Sequence, residues 1–108
     1  MKDTNLGGFE ELVLLSIGTL TDDAYSISIK NALEDYTERA PSIGALHSAL
    51  MRLEEKGFIS SYEGGASKER GGRRKRFYTM SKKGLEALIH AKELRQQFYT
   101  QIPVLKLT

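Results

Sequence analysis

The chain contains no cysteine and no tryptophan. Without cysteine it has neither disulfides nor thiolate metal ligands, which fits a reducing compartment. No apolar run approaches the roughly eighteen residues that a membrane helix needs. The N-terminal residues Met1 to Asn5 are followed by no apolar segment of the secretory type. The expected location is therefore cytoplasmic, with no membrane partner. Walker loops, HExxH and GxSxG are all missing, so neither an enzymatic activity nor a cofactor is expected. His90 has no second ligand at useful spacing, which argues against a metal. The carboxylate pairs Asp22/Asp23 and Glu54/Glu55 read as helix caps and surface charges. Proline is scarce, and Pro41 and Pro103 each fall where a helical pattern ends.

What the chain does have is an uneven charge. The total is only +2. Between positions 64 and 76, however, Lys68, Arg70, Arg73, Arg74, Lys75 and Arg76 face the single acid Glu69, so this stretch carries +5 and the remainder −3. Such localisation points to an anionic partner. Glycines at 64, 65, 71 and 72 let the backbone of this segment approach a duplex closely.

A chain of 108 residues is one domain's length. Its core can only be modest, so self-association would add stability. Residues 9–20 read as a helix with Phe9, Leu12, Val13, Ser16 and Leu20 on one side. Leu14, Leu15 and Ile17 widen the apolar surface almost all round, as in a helix buried on more than one side. Asp22 and Asp23 are candidate N-caps for a second helix over 24–37, with Tyr25, Ile29, Ala32/Leu33 and Tyr36 on its apolar side. Ser42 caps a third helix over 42–56, whose stripe is Ile43, Leu46, Leu50 and Leu53, and Gly57 stops it. Residues 58–62 and 76–80 read as two strands of a hairpin with a long basic tip. Ser81 caps a last helix of about twenty residues, some 30 Å long. Its apolar positions are Leu85, Leu88, Ile89, Leu94, Phe98 and Ile102, followed by a frayed tail over 104–108.

The succession is mostly α with a small β-hairpin, an α+β arrangement in the winged helix-turn-helix order, with a long C-terminal dimerisation helix. Residues 1–80 read as a DNA-binding domain. Residues 81–108 read as a dimerisation helix and tail packed as part of the same domain. The third helix is one-faced. Its opposite side carries Gly44, Ala45, Ser48, Arg52 and Glu55, with Met51 at the edge, and is free to enter a major groove. His47, near the border of the stripe, either donates to a phosphate or packs. Tyr25 is a core or rim residue whose hydroxyl could also reach a phosphate. The apolar stripe beyond about residue 90 is too long for three helices to cover and calls for a second copy.

The candidate DNA-binding set is thus Ser42, Gly44, Ala45, His47, Ser48 and Arg52 on the third helix, with Lys68, Arg70, Arg73, Arg74 and Lys75 in a wing over 64–76. The candidate dimerisation set is Leu14, Leu88, Ile89, Leu94, Phe98 and Ile102. The expected partners are double-stranded DNA and a second copy of the chain. The rival from another class is a ligand-binding or protein-interaction dimer with little DNA affinity.

Several segments together resemble the PadR-type transcriptional regulators. They are LGGFEELVLL at 6–15, Asp23-Ala24-Tyr25, SIGAL at 42–46, LEEKGFI at 53–59 and RGGRRKRFY at 70–78. The resemblance covers roughly residues 6–90. It implies a winged-helix regulator, usually a repressor, dimerising through its C-terminal helix, with residues 42–56 as recognition helix and 64–76 as wing. His47 stands where that family commonly has tyrosine, and Ser26 where it commonly has glycine. Some short members bind planar drugs between their C-terminal helices with the aid of tryptophan. This chain has none, and Phe98 and Tyr99 are its candidates for contacting a small hydrophobic effector.

Overall fold

The computed structural model describes residues 5–64 and 75–106. Helix α1 (Gly8–Leu20) places Glu10 and Glu11 in its first turn, where the positive end of the helix dipole favours acids. It buries Glu10, Val13, Leu14, Ser16 and Ile17. The buried side is rotated from the one expected: Leu12 and Leu15 are exposed, and Leu14 is fully enclosed at 0% exposure. Leu14 therefore fills the protomer's own core. It offers no surface to a second copy, contrary to its place in the expected dimerisation set.

A short 3-10 turn (Thr21–Asp23) follows, and α2 (Ser26–Thr37) starts two residues later than the sequence pattern suggests. The aspartates do not cap it. Ala24 and Tyr25 are extended instead and lie beside the hairpin, with the Tyr78 N–H donating to the Ala24 carbonyl at 2.8 Å. The cap is supplied from within α2, where the Ser28 hydroxyl accepts the Tyr25 N–H at 2.9 Å. The helix buries Ile29, Ala32 and Leu33, whereas Tyr36, expected on the apolar side, is 75% exposed. Glu38 ends α2 in the left-handed region (φ 61°), its N–H returning to the Glu34 carbonyl at 2.7 Å. The stop thus precedes Pro41.

Helix α3 (Ile43–Glu55) begins as expected, with the Ser42 hydroxyl accepting the Ala45 N–H at 3.1 Å. It buries Leu46, Ala49, Leu50 and Leu53, while Ile43, expected in that stripe, is exposed. Gly57 adopts φ 80°, a conformation that glycine reaches without a Cβ penalty. The turn lets Phe58 drop into the centre of the core, fully buried. Strands β1 (Ile59–Glu63) and β2 (Arg76–Met80) then pair antiparallel with Ile59 opposite Met80 and Tyr62 opposite Phe77.

Helix α4 (Lys82–Gln101) has the expected length of 20 residues and the expected cap, the Ser81 hydroxyl accepting the Gly84 N–H. Its first two turns bury Gly84, Ala87 and Leu88. A Cβ on Gly84 would collide with the Phe58 carbonyl oxygen, so only glycine lets α4 sit this close to the core. Farther along, Arg95 Nη1 pairs with Glu11 Oε1 at 2.5 Å and lays the helix along α1. A 3-10 turn (Pro103–Lys106) closes the described part of the chain. Among the described residues no helix is long and apolar enough to cross a membrane.

Candidate nucleic-acid interface

The exposed side of α3 is small and short of charge. Gly44, Ala45, His47, Ser48 and Met51 are all exposed, and a Cβ added at Gly44 would meet nothing within 4 Å. Helical spacing puts Gly44, Ser48, Met51 and Glu55 on one line, opposite the buried leucines. Ser42 stands exposed at the helix start, but its hydroxyl is occupied as the cap.

Arg52 departs from expectation. Its Nε donates to Glu10 Oε2 at 2.6 Å, and Lys56 Nζ donates to Glu10 Oε1 at 2.8 Å. Glu10 is only 6% exposed. The Nε edge of the guanidinium expected to face DNA is thus turned toward α1, half of the side chain staying exposed, because a buried carboxylate is costly unless it is paired. Burial by itself pushes the Glu10 carboxyl upward. Hydrogen bonds from Lys56, Arg52 and the Gly7 N–H outweigh that, and its pKa lies below the usual value. This cluster locks the C-terminal half of α3 to the first turn of α1. The composition did not reveal it, but the spacing held a signal: Glu10 lies three, four and seven residues before Val13, Leu14 and Ile17, all buried.

At the other end of α3, Ser26 and Tyr25 connect it to the hairpin. The His47 Nε2 lies 3.3 Å from the Ser26 hydroxyl, so the two positions that depart from the common pattern touch each other. On the next residue, the Lys75 ammonium sits 4.2 Å from the centre of the Tyr25 ring, a cation–π contact. Phe77 packs edge-on against Tyr25 at 5.6 Å and stacks on its cross-strand partner Tyr62 at 5.7 Å. Tyr25 is thus a rim residue at the root of the wing. Ser26 and Phe77 were missed as site residues. Their role depends on Ala24 and Tyr25 being extended, which helical periodicity masked. The remaining wing residues expected to bind, Lys68, Arg70, Arg73 and Arg74, lie outside the described residues.

The second expected surface is on α4. Leu88 is mostly buried within the protomer, whereas Ile89, Leu94, Phe98 and Ile102 are exposed, Phe98 to 67%. Leu85, Tyr99 and Val104 are exposed with them. A cleft of about 420 Å³ runs between α1 and α4 and is lined by Leu15, Leu85, Ile89, Arg95 and Tyr99, among others.

Comparison with known proteins identifies what shares this arrangement. The family model described as the transcriptional regulator PadR-like family matches residues 13–90. No curated protein matches the sequence. Among solved structures, a PadR-like transcription factor from Bacteroides fragilis superposes with a TM-score of 0.72 at 19% identity, over 93% of this chain and 89% of that one. A PadR-like transcriptional regulator from Bacillus cereus also gives 0.72, at 21% identity over 93% and 92%. RosR of H. salinarum gives 0.70 at 22% identity, over 91% and 81%.

Proposed function

The chain belongs to the transcriptional regulator PadR-like family, a family of regulators and not of enzymes, and from that premise we propose that it is a cytoplasmic, homodimeric repressor that binds a pseudo-palindromic DNA operator. One protomer would place α3 in the major groove and the wing over 64–76 against the flanking backbone, and the second copy would repeat this on the other half-site. The observation that carries the reading is the chain of contacts from His47 through Ser26 and Tyr25 to Lys75. It supports the groove-sized face of α3, uncharged from Gly44 to Met51, and the root of the +5 segment acting side by side. Phosphate neutralisation by that segment would supply most of the affinity.

The exposed apolar residues of α4 support the homodimer. So does the protomer's radius of gyration of 16.2 Å, against about 13 Å for a compact chain of this length. The same surface supports an effector site: the cleft between α1 and α4 is apolar enough for a small hydrophobic molecule. By changing the packing of the two long helices, such a molecule would change the spacing of the two recognition helices.

The test is fluorescence anisotropy with the DNA upstream of the protein's own gene against a scrambled duplex, at several salt concentrations. Binding that prefers the native duplex and weakens steeply with salt is the expected result. Absence of binding to either duplex at low salt would reject the proposal and favour the interaction dimer with little DNA affinity.

A further inference from the structure

Resting on the reading of the protein as a DNA-binding regulator, we infer that α3 recognises its site chiefly through the 5-methyl groups of thymines, with Met51 as the principal contact. The major-groove edges of guanine and adenine are read best by paired hydrogen bonds from arginine, lysine, asparagine or glutamine. Helix α3, IGALHSALMRLEE, contains no lysine, asparagine or glutamine, and Arg52 is its one arginine. That arginine is held by Nε to Glu10 at 2.6 Å, with half of its side chain exposed. Swinging it into a groove would leave a nearly enclosed carboxylate with fewer partners, which the low dielectric around it penalises.

What α3 does present outward is apolar or small. Met51 is 62% exposed and shares a line with Gly44 and Ser48. Its unbranched thioether adapts to the shape it meets. Apolar contact is the means by which a thymine methyl is told from the other major-groove groups. The open space over Gly44 lets the first two turns approach base edges closely. Glu55, one turn beyond Met51 on the same line, repels phosphates, so the stretch from Gly44 to Met51 is the part of the helix that enters. Ser48 and His47 add single hydrogen bonds, which discriminate less than paired ones.

The experiment uses the full chain. Duplexes that bind it are selected from a randomised pool, and thymines of one half-site are then replaced with deoxyuridine, which removes only the methyl group. Affinity should fall about fourfold for each methyl that α3 covers, the worth of one buried methylene-sized group. Replacing guanines with 7-deazaguanine should cost less. In Met51→Ala the thymine–uracil difference should shrink. Unchanged affinity with uracil, or a larger loss with 7-deazaguanine, overturns the inference and leaves the regulator reading standing. An undiminished thymine–uracil difference in Met51→Ala overturns the assignment to Met51. If no duplex is retained even at low salt, the regulator reading falls and the inference with it.

Discussion

Helices α3 and α4 are built alike and exposed differently. Each starts at a serine whose hydroxyl accepts the N–H three residues on, and each packs one side against the same core. Yet the free side of α3 carries Gly44, Ala45 and Ser48 beside Met51, while that of α4 carries Ile89, Leu94, Phe98 and Tyr99 together. Exposure alone therefore does not identify a partner. Small side chains leave room for a large polar ligand that brings its own charge, and large apolar ones lose free energy to water until another apolar surface covers them. The proposed division, α3 and the wing for DNA and α4 for a second copy of the chain, rests on this contrast.

The strongest way to break this division is to reverse the wing's charge. The double variant Arg73→Glu, Arg74→Glu should weaken binding to operator DNA more than about a hundredfold and lower the dependence of log K on log salt by about 2. Its dimerisation, read by analytical ultracentrifugation, should be unchanged. A next test inverts the comparison. Phe98→Asp puts a charge into the exposed face of α4 and should convert dimer to monomer in sedimentation. Operator affinity should then fall by about tenfold or more, since two half-sites are no longer bound by one linked pair. If Phe98→Asp stays dimeric, the α4 surface is not the interface.

The third test concerns how α3 is held. Glu10→Ala should lower stability by about 2 kcal/mol at pH 7, the scale of hydrogen bonds to charged groups, measured by urea denaturation. The folded-state pKa of Glu10 lies below its ordinary value of 4.5. Its contribution is therefore fully present above that value and is lost as the pH falls through the lower, folded-state pKa. Wild type and variant should accordingly converge in stability only at strongly acidic pH. The smallest expected effect is at Gly44. Gly44→Ala should stabilise the fold by about 0.5 kcal/mol, because alanine favours helix and the new Cβ meets nothing in the protomer. DNA affinity should fall if the groove comes as close to that face as proposed. A stabilised protein with undiminished affinity would place the groove farther from the helix start.

Much of this molecule was legible in its sequence, and the parts that were not have a common cause. Caps and stops are local chemistry. Ser42, Gly57 and Ser81 act within a few residues, so α3, α4 and β2 fall where the pattern puts them. The start of α2 was misplaced because Ala24 and Tyr25 pair with a strand some fifty residues away, and a helical period runs through them undisturbed. Arg52 and Lys56 look like surface cations until α1 brings Glu10 beneath them. Periodicity gave the apolar surface of α1 as nearly complete, and packing alone determined that Leu14 and Ile17 would be enclosed while Leu12 and Leu15 stayed outside.

By itself the sequence determined the element order, the helix-ending chemistry, the localisation of positive charge and the presence of two free helix faces, since each follows from neighbouring residues or from composition. Only the tertiary structure decided which charges are free to meet a partner, because that depends on distances across the fold. It ties Arg52 to Glu10, sets Lys75 over Tyr25 and joins His47 to Ser26. Each of these contacts is made by residues that no local pattern brings together.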